Sequence, residues 1–321
     1  AEFNSKGLKA YPECPRRYDV IHAALAAAPW ASLSQSTAHV DDQLAAVHED
    51  DYLTFLRTAY AAWAAAGGEG DLAASVFSGA HGRAPASASA ATGFYGFDTT
   101  PIVAGTWAAT RAASDAALTA ADLVLGGDPV AYALCRPPGH HASHNRFGGY
   151  CYLNHAALAA QRLSTAGTVA IVDIDYHHGN GTQQIFYARD DVLFVSLHAD
   201  PEWEYPLFWG RADETGTGRG LGFSLNVPLP PGIADADYLQ QLRGAVQLVR
   251  AFDPCHVVIS AGFDIWHDDP LGTFRLSAAG ICQVGAMLAD LALPTVIVQE
   301  GGYDVAALGG LVRGFLQPFC R

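Results

Sequence analysis

In the stretch TVAIVDIDYHHGNGTQ, residues 168–183, an apolar run breaks into two aspartates, two histidines and two glycines. Asp175 and His177 stand two residues apart, so on an extended backbone their side chains leave one face together and can meet one ion. Taken singly, Asp175 reads as a cap or turn former and His177 as a satisfied polar group near the core. With Asp264, which ends the separate run SAGFD (260–264), they make an Asp/His/Asp set that leaves positions open for substrate and water, as a catalytic zinc ion requires. His140 and His141 follow the rigid turn Arg136-Pro137-Pro138-Gly139, which presents two adjacent imidazoles. Metal-assisted amide hydrolysis needs one group to take a proton from water and one to return it to the leaving amine, and such a pair supplies both. Tyr303, after the flexible Gly301-Gly302 pair, can add a phenolic donor to the developing oxyanion.

These groups must be carried by a scaffold. The short β-branched runs PVAYAL (129–134), TVAIVDI (168–174), VLFVSLH (192–198), CHVVISA (255–261) and PTVIVQE (294–300) read as strands. They alternate with stretches of helical period at roughly 49–66, 102–125, 153–165, 236–251, 277–292 and 304–317. Near-continuous apolar strands between helices imply a parallel sheet covered on both faces, a three-layer α/β domain. Function in such a sheet concentrates beyond the carboxyl ends of the strands, and all five ends here carry polar, ionisable or glycine residues. The Ala/Ser/Gly-rich segment 78–93 reads as a long loop.

Composition narrows the function classes. The chain has 321 residues, half of them apolar, which is read as one domain over 1–321. A net charge of -14 argues against a nucleic-acid partner. No run of about 18 apolar residues or signal-peptide pattern is present, so no membrane is expected and the chain reads as cytoplasmic. Its six cysteines form no CxxC pair and read as reduced thiols. GTGRGLG (216–222) lacks the spacing of a dinucleotide loop, and VVISAG fails the serine-hydrolase elbow.

The motifs RPPGHH, GGYCYLNHAALAA, VDIDYHHGNGTQQIFY, SLH, SAGFD and EGGY resemble the histone deacetylase superfamily over nearly the whole chain. HADPEWEYPLFWGRADETGTG (198–218) and GFYGFDTTPIVAGTWAA (93–109) are more similar to its acetylpolyamine amidohydrolases and related bacterial amidohydrolases than to eukaryotic members. The resemblance implies the arginase-deacetylase fold, with a central, mostly parallel sheet of about eight strands. It implies zinc on Asp175, His177 and Asp264, acid-base work by His140 and His141, and carbonyl polarisation by Tyr303. Asp173 would sit behind His140 and Asn180 behind His141; an anionic partner stabilises imidazolium more than an amide does, so His141 is expected to be the readier base. The resemblance also implies a potassium ion held by Asp173 and Ser196 with main-chain oxygens of Asp175, His177 and Leu197, and a second one among carbonyls of Phe186, Arg189, Val192 and Phe223. Gly149, Tyr150 and Tyr205, with Gly301 and Gly302, would line a substrate channel, and Asp98 would stand at its rim.

Two departures bear on substrate. The chain opens almost at the loop matching KGLKAYPECPRRYDVIHAAL (7–26), so the family's first strand is expected to be absent. The resemblance implies that the segment 70–97 is an insertion closing over the entrance, with help from a second subunit in a homodimer or higher homo-oligomer, yet it holds no acidic residue between Asp71 and Asp98. That removes a Coulombic reason to prefer a polycation and favours a broad deacylase of small acetylated amines or acetyl-lysine-like side chains. A two-metal ureohydrolase would need more bridging carboxylates. A silent acyl-lysine binding module would be expected to lack Tyr303 or one of the tandem histidines.

Overall fold

The computed structural model describes residues 2–4, 7–9, 11–78 and 82–320. Six parallel strands form the central sheet: β3 (Val130–Ala133), β4 (Val169–Asp173), β5 (Val192–Ala199), β6 (Ser224–Leu229), β7 (His256–Ala261) and β8 (Thr295–Gln299), preceded in the chain by β1 (Glu2–Asn4) and β2 (Gly7–Lys9). The spatial order is β3-β8-β7-β4-β5-β6. All five strands expected from the apolar runs are present, within one or two residues of their expected ends.

Period-two alternation divides each strand between two cores. Val169 and Ile171 of β4, with Phe194, Val258, Val296 and Val298, pack under the helices Asp50–Ala65, Thr106–Leu125 and His155–Leu163. Ala170 and Val172, with Val195, Val257, Ile259 and Ile297, pack under the helices Arg16–Ala26, Asp235–Phe252, Ala278–Ala289 and Leu308–Leu316. Both faces of β4 are therefore buried, which is why its sequence is apolar without a break from Val169 to Val172, before Asp173 closes it at the site end.

Two expectations need correction, and one strand is added. Among the described residues the sheet has six strands instead of about eight, because β1 and β2 pair antiparallel with each other and not with the central sheet. The sixth strand, β6, had no sequence signal: it lies at an edge, only half of its residues are buried, and Pro228 faces His198 of β5 across the pair. The segment 78–93 is not wholly a loop, since Ala88–Tyr95 is helical. The Ser87 side chain caps that helix, accepting from the Ala90 N–H, and burial of Ala91, Thr92 and Tyr95 holds it down. Its residues 79–81 lie outside the described ones.

The sheet order creates the place for a site. Chain order runs outward from β4 through β5 to β6, then returns to insert β7 and β8 on the other side of β4. The β4/β7 boundary is thus a topological switch point, where the loops leaving the two strands part and open a crevice.

Candidate active site

Asp173 ends β4 opposite Ser196 of β5 and Ser260 of β7. Asp175, His177 and Asp264 come together just beyond, at the switch point, with their ligand atoms all within 4.8 Å of one another. His177 Nδ1 stands 3.0 Å from Asp264 Oδ2 and 3.3 Å from Asp175 Oδ1. The other carboxylate oxygens are tied to backbone N–H groups: Gly301 donates to Asp175 Oδ2 at 2.8 Å and Tyr176 to Asp264 Oδ1 at 3.0 Å. Both aspartates are buried.

Electrostatics in this cluster favour a cation. Burial raises the Asp264 carboxyl and the charge of Asp175 raises it further. Burial works against charge on Asp175 too, but His140 and His177 hold it below the usual carboxylate range. The His177 imidazole, which burial alone would lower, is pushed up to about 10 by the two carboxylates. Two carboxylates around one imidazole, out of water, leave negative charge that a divalent ion would neutralise. The backbone is shaped to match, since a Cβ at Gly301 would lie 2.5 Å from Asp264 Oδ2 and 2.6 Å from Asp175 Oδ2. The donor set and its cradle fit a metal ion.

The tandem histidines lie beside this cluster with ring centroids 4.0 Å apart. His140 Nδ1 is 3.0 Å from Asp173 Oδ2 and His141 Nδ1 is 2.7 Å from Asn180 Oδ1. Their surroundings drive them apart. Burial lowers His140, but Asp175 and Asp173 overcome it and raise the imidazole to about 10. Burial lowers His141 as well, and the neighbouring His140 and His177 lower it further. One ring is set to hold a proton and the other to lack one.

Tyr303 completes the group from the loop after β8. Its backbone N–H donates to Asp269 Oδ2 at 2.6 Å. The guanidinium of the fully buried Arg17 lies over its ring, 4.9 Å from the centroid, and Arg17 Nε donates to the Gly302 carbonyl at 2.7 Å. Burial pushes the phenol well above its usual range, so it remains a donor. Tyr150, at φ +68°, brings its ring to 5.8 Å from that of Tyr303, and Gly149 approaches so closely that a Cβ there would meet His141 Cδ2 at 2.2 Å. Tyr205 faces the other side, its ring 5.0 Å from His141 and 6.2 Å from Phe97. Asp98 is engaged by the protein itself, accepting from Gly149 N at 2.7 Å, Tyr205 Oη at 2.9 Å and Thr100 N at 2.9 Å, so it braces the two walls of the entrance. Phe147 and Tyr152 are buried and stack in the core.

The remaining candidates occupy other places. Ser196 Oγ pairs with His198 Nδ1 at 2.8 Å, and Leu197 follows it on buried β5. Phe186 ends the helix Asn180–Phe186 and its carbonyl accepts from Arg189 N at 2.9 Å; Val192 opens β5, and the Phe223 carbonyl accepts from Phe194 N at 2.9 Å. His178 points away from His177, with Nε2 3.1 Å from Gln183 Oε1 and 3.0 Å from Asn226 Oδ1. Arg17, Asp269 and Glu300 went unassigned in the sequence. Arg17 and Glu300 sit inside motifs already quoted, but their partners are up to 285 residues distant, so no local pattern marks them.

A family profile described as a histone deacetylase domain matches residues 11–317. The chain is 44% identical over 317 residues to Acetylpolyamine amidohydrolase 1 of Pseudomonas aeruginosa, covering 96% of this chain and 91% of that protein. It is 39% identical over 310 residues to the acetylpolyamine amidohydrolase of Mycoplana ramosa, covering 95% and 91%. A crystal structure of acetylpolyamine aminohydrolase from Burkholderia pseudomallei matches with a TM-score of 0.95 at 38% identity, covering 99% of this chain and 94% of that one.

Proposed function

Because the chain belongs to the histone deacetylase family, we propose that it is a zinc-dependent deacetylase that hydrolyses the N-acetyl amide of small extended amines, acetylpolyamines among them. The observation that carries this reading is the convergence of Asp175, His177 and Asp264 beside two imidazoles of opposite proton affinity. Asp175, His177 and Asp264 would hold the zinc, and Asp173 and Ser196, facing each other across β4 and β5, would contribute to a potassium site. When bound, zinc supplies a Lewis acid that acidifies water and polarises the amide carbonyl.

The protein's own groups divide the rest. His141, whose Nδ1–H donates to Asn180 Oδ1, has a free lone pair on Nε2 and takes the proton of the attacking water there. His140, its Nδ1–H donating to Asp173, stays cationic and offsets the charge that builds beside it. The leaving nitrogen receives its proton from this pair. The Tyr303 hydroxyl donates to the oxygen that becomes negative, in a place where burial strengthens the bond. Tyr150 and Tyr205 hold the methylene chain of the substrate, while Asp98 keeps both walls in place.

Acetylpolyamine turnover is read as part of a broad activity, since residues 72–97 contribute no carboxylate to bind a second ammonium group. A cytoplasmic location agrees with six free cysteines. Among the described residues no helix is long and apolar enough to cross a membrane. A homo-oligomer would cover the exposed Trp203 and Phe208 next to Tyr205. The test is a panel of acetylputrescine, acetylspermidine, an acetyl-lysine peptide and neutral N-acyl amides, compared by kcat/KM with zinc-loaded protein at one salt concentration. All acetylated amines should turn over, acetylpolyamines by less than about a hundredfold, or about 2.7 kcal/mol, over the neutral amides. Turnover of none of them would overturn the reading, and a larger preference would overturn its breadth.

A further inference from the structure

The imidazoles and the phenol stand on different loops, after β3 and after β8, and catalysis needs them in register. One fully buried carboxylate joins the two loops. Glu300 leaves β8 three residues before Tyr303, and its Oε2 accepts the backbone N–H of Gly139 at 2.7 Å and of His140 at 3.1 Å. The other end of the His140 peptide is also held, for its carbonyl accepts from Gly181 N and Thr182 N, each at 3.1 Å. Gly139 has no room to drift: a Cβ there would meet His155 N at 2.6 Å and the Leu153 carbonyl at 2.8 Å. On the far side, Arg17 donates to the Glu300 and Gly302 carbonyls, so the loop that bears Glu300 is itself anchored.

We infer that Glu300 is a positioning residue for the proposed deacetylation, a strap of fixed length that sets the tandem-histidine turn against the Tyr303 loop. This rests on the reading of the site given above. Glu300 does not touch the reacting atoms; its effect passes through the backbone of Gly139 and His140. Burial pushes its carboxyl up to about 7, against the pull of His140 and the Gly139 N–H, so its charge is costly while its reach is what the N–H groups use.

Reach and charge separate in three variants. Glu300→Gln keeps the length and an oxygen that can accept both N–H groups, while its amide N–H can turn to Ser260 Oγ, which is 3.4 Å from Glu300 Oε1. Glu300→Asp keeps the charge but withdraws the oxygen by about 1.5 Å, beyond hydrogen-bonding distance. Glu300→Ala removes both. With acetylputrescine, kcat should fall about a hundredfold in Glu300→Ala and at least about tenfold in Glu300→Asp, with KM and zinc content within about twofold, while Glu300→Gln recovers to within about threefold of the unmodified enzyme. Hydrogen exchange of peptides spanning 135–142 in the zinc-free protein should accelerate in Glu300→Asp and not in Glu300→Gln. Should Glu300→Ala fail to fold, the Asp and Gln pair decides alone. Glu300→Asp matching the unmodified enzyme while Glu300→Gln collapses would overturn the inference, as would unchanged exchange in Glu300→Asp. If the unmodified enzyme itself releases no acetate, the functional reading fails, and the exchange order still judges the strap.

Discussion

Replacing Tyr303 by Phe removes one oxygen and little else, which makes it the cleanest probe of the proposed chemistry. The ring would keep its edge contact with Tyr150 at 5.8 Å and its place under the Arg17 guanidinium at 4.9 Å. The backbone bond to Asp269 is untouched by the change. Stability should therefore stay within about 0.5 kcal/mol, a shift of about 2 °C or less in Tm for a chain of this size. The loss falls on the transition state. A single donor aimed at a developing oxyanion in a dry site is worth about two to three decades in kcat, or roughly 2.7–4 kcal/mol. Burial holds the phenol well above its ordinary range, so it does not ionise at working pH and the deficit should be the same at about pH 7 and pH 9. The assay is steady-state hydrolysis of acetylputrescine with zinc content and Tm measured on the same preparation. A Tyr303→Phe enzyme with full zinc and kcat within tenfold of the unmodified protein would refute the assignment.

Other perturbations probe different parts of the site. Asp264→Asn should weaken zinc affinity by about a hundredfold or more and abolish turnover, because it halves the carboxylate charge facing His177; a full equivalent of zinc retained after dialysis would contradict the ligand set. His178→Ala should lower stability by about 2–4 kcal/mol through lost bonds to Gln183 and Asn226, while the zinc-loaded enzyme keeps kcat within about fivefold; a large loss of kcat at unchanged Tm would place His178 in the chemistry. Asp98→Ala should raise KM about tenfold with a smaller effect on kcat, since Gly149 and Tyr205 lose a shared acceptor; an unchanged KM speaks against a braced entrance. His48 is buried, donating from Nδ1 to the Ser143 carbonyl and accepting the Asn154 N–H on Nε2, and burial lowers it to about 3. The unfolded chain then binds the extra proton, so stability is full above about pH 6.5 and declines toward pH 3 by up to about 1.4 kcal/mol per unit. His48→Gln, which can both accept and donate there, should flatten the difference between urea unfolding at pH 7 and pH 5; equal slopes would refute it.

What the sequence determined by itself is whatever short-range periodicity encodes. The run Val169–Val172 is apolar at every position because both faces of β4 are covered, and that pattern is visible without knowing what covers it. The two-residue spacing of Asp175 and His177 likewise carries its own geometry. β6 lacked such a signal, since an edge strand is half-buried and admits Pro228. Only the tertiary structure decided that Asp264 meets His177 across 87 residues, because adjacency depends on β7 inserting beside β4, an order that no local pattern records. The same holds for Arg17 and Glu300, whose polar groups are satisfied by backbone atoms contributed from far along the chain. A buried polar group must find a partner or be costly, but which partner it finds is settled by how the layers stack.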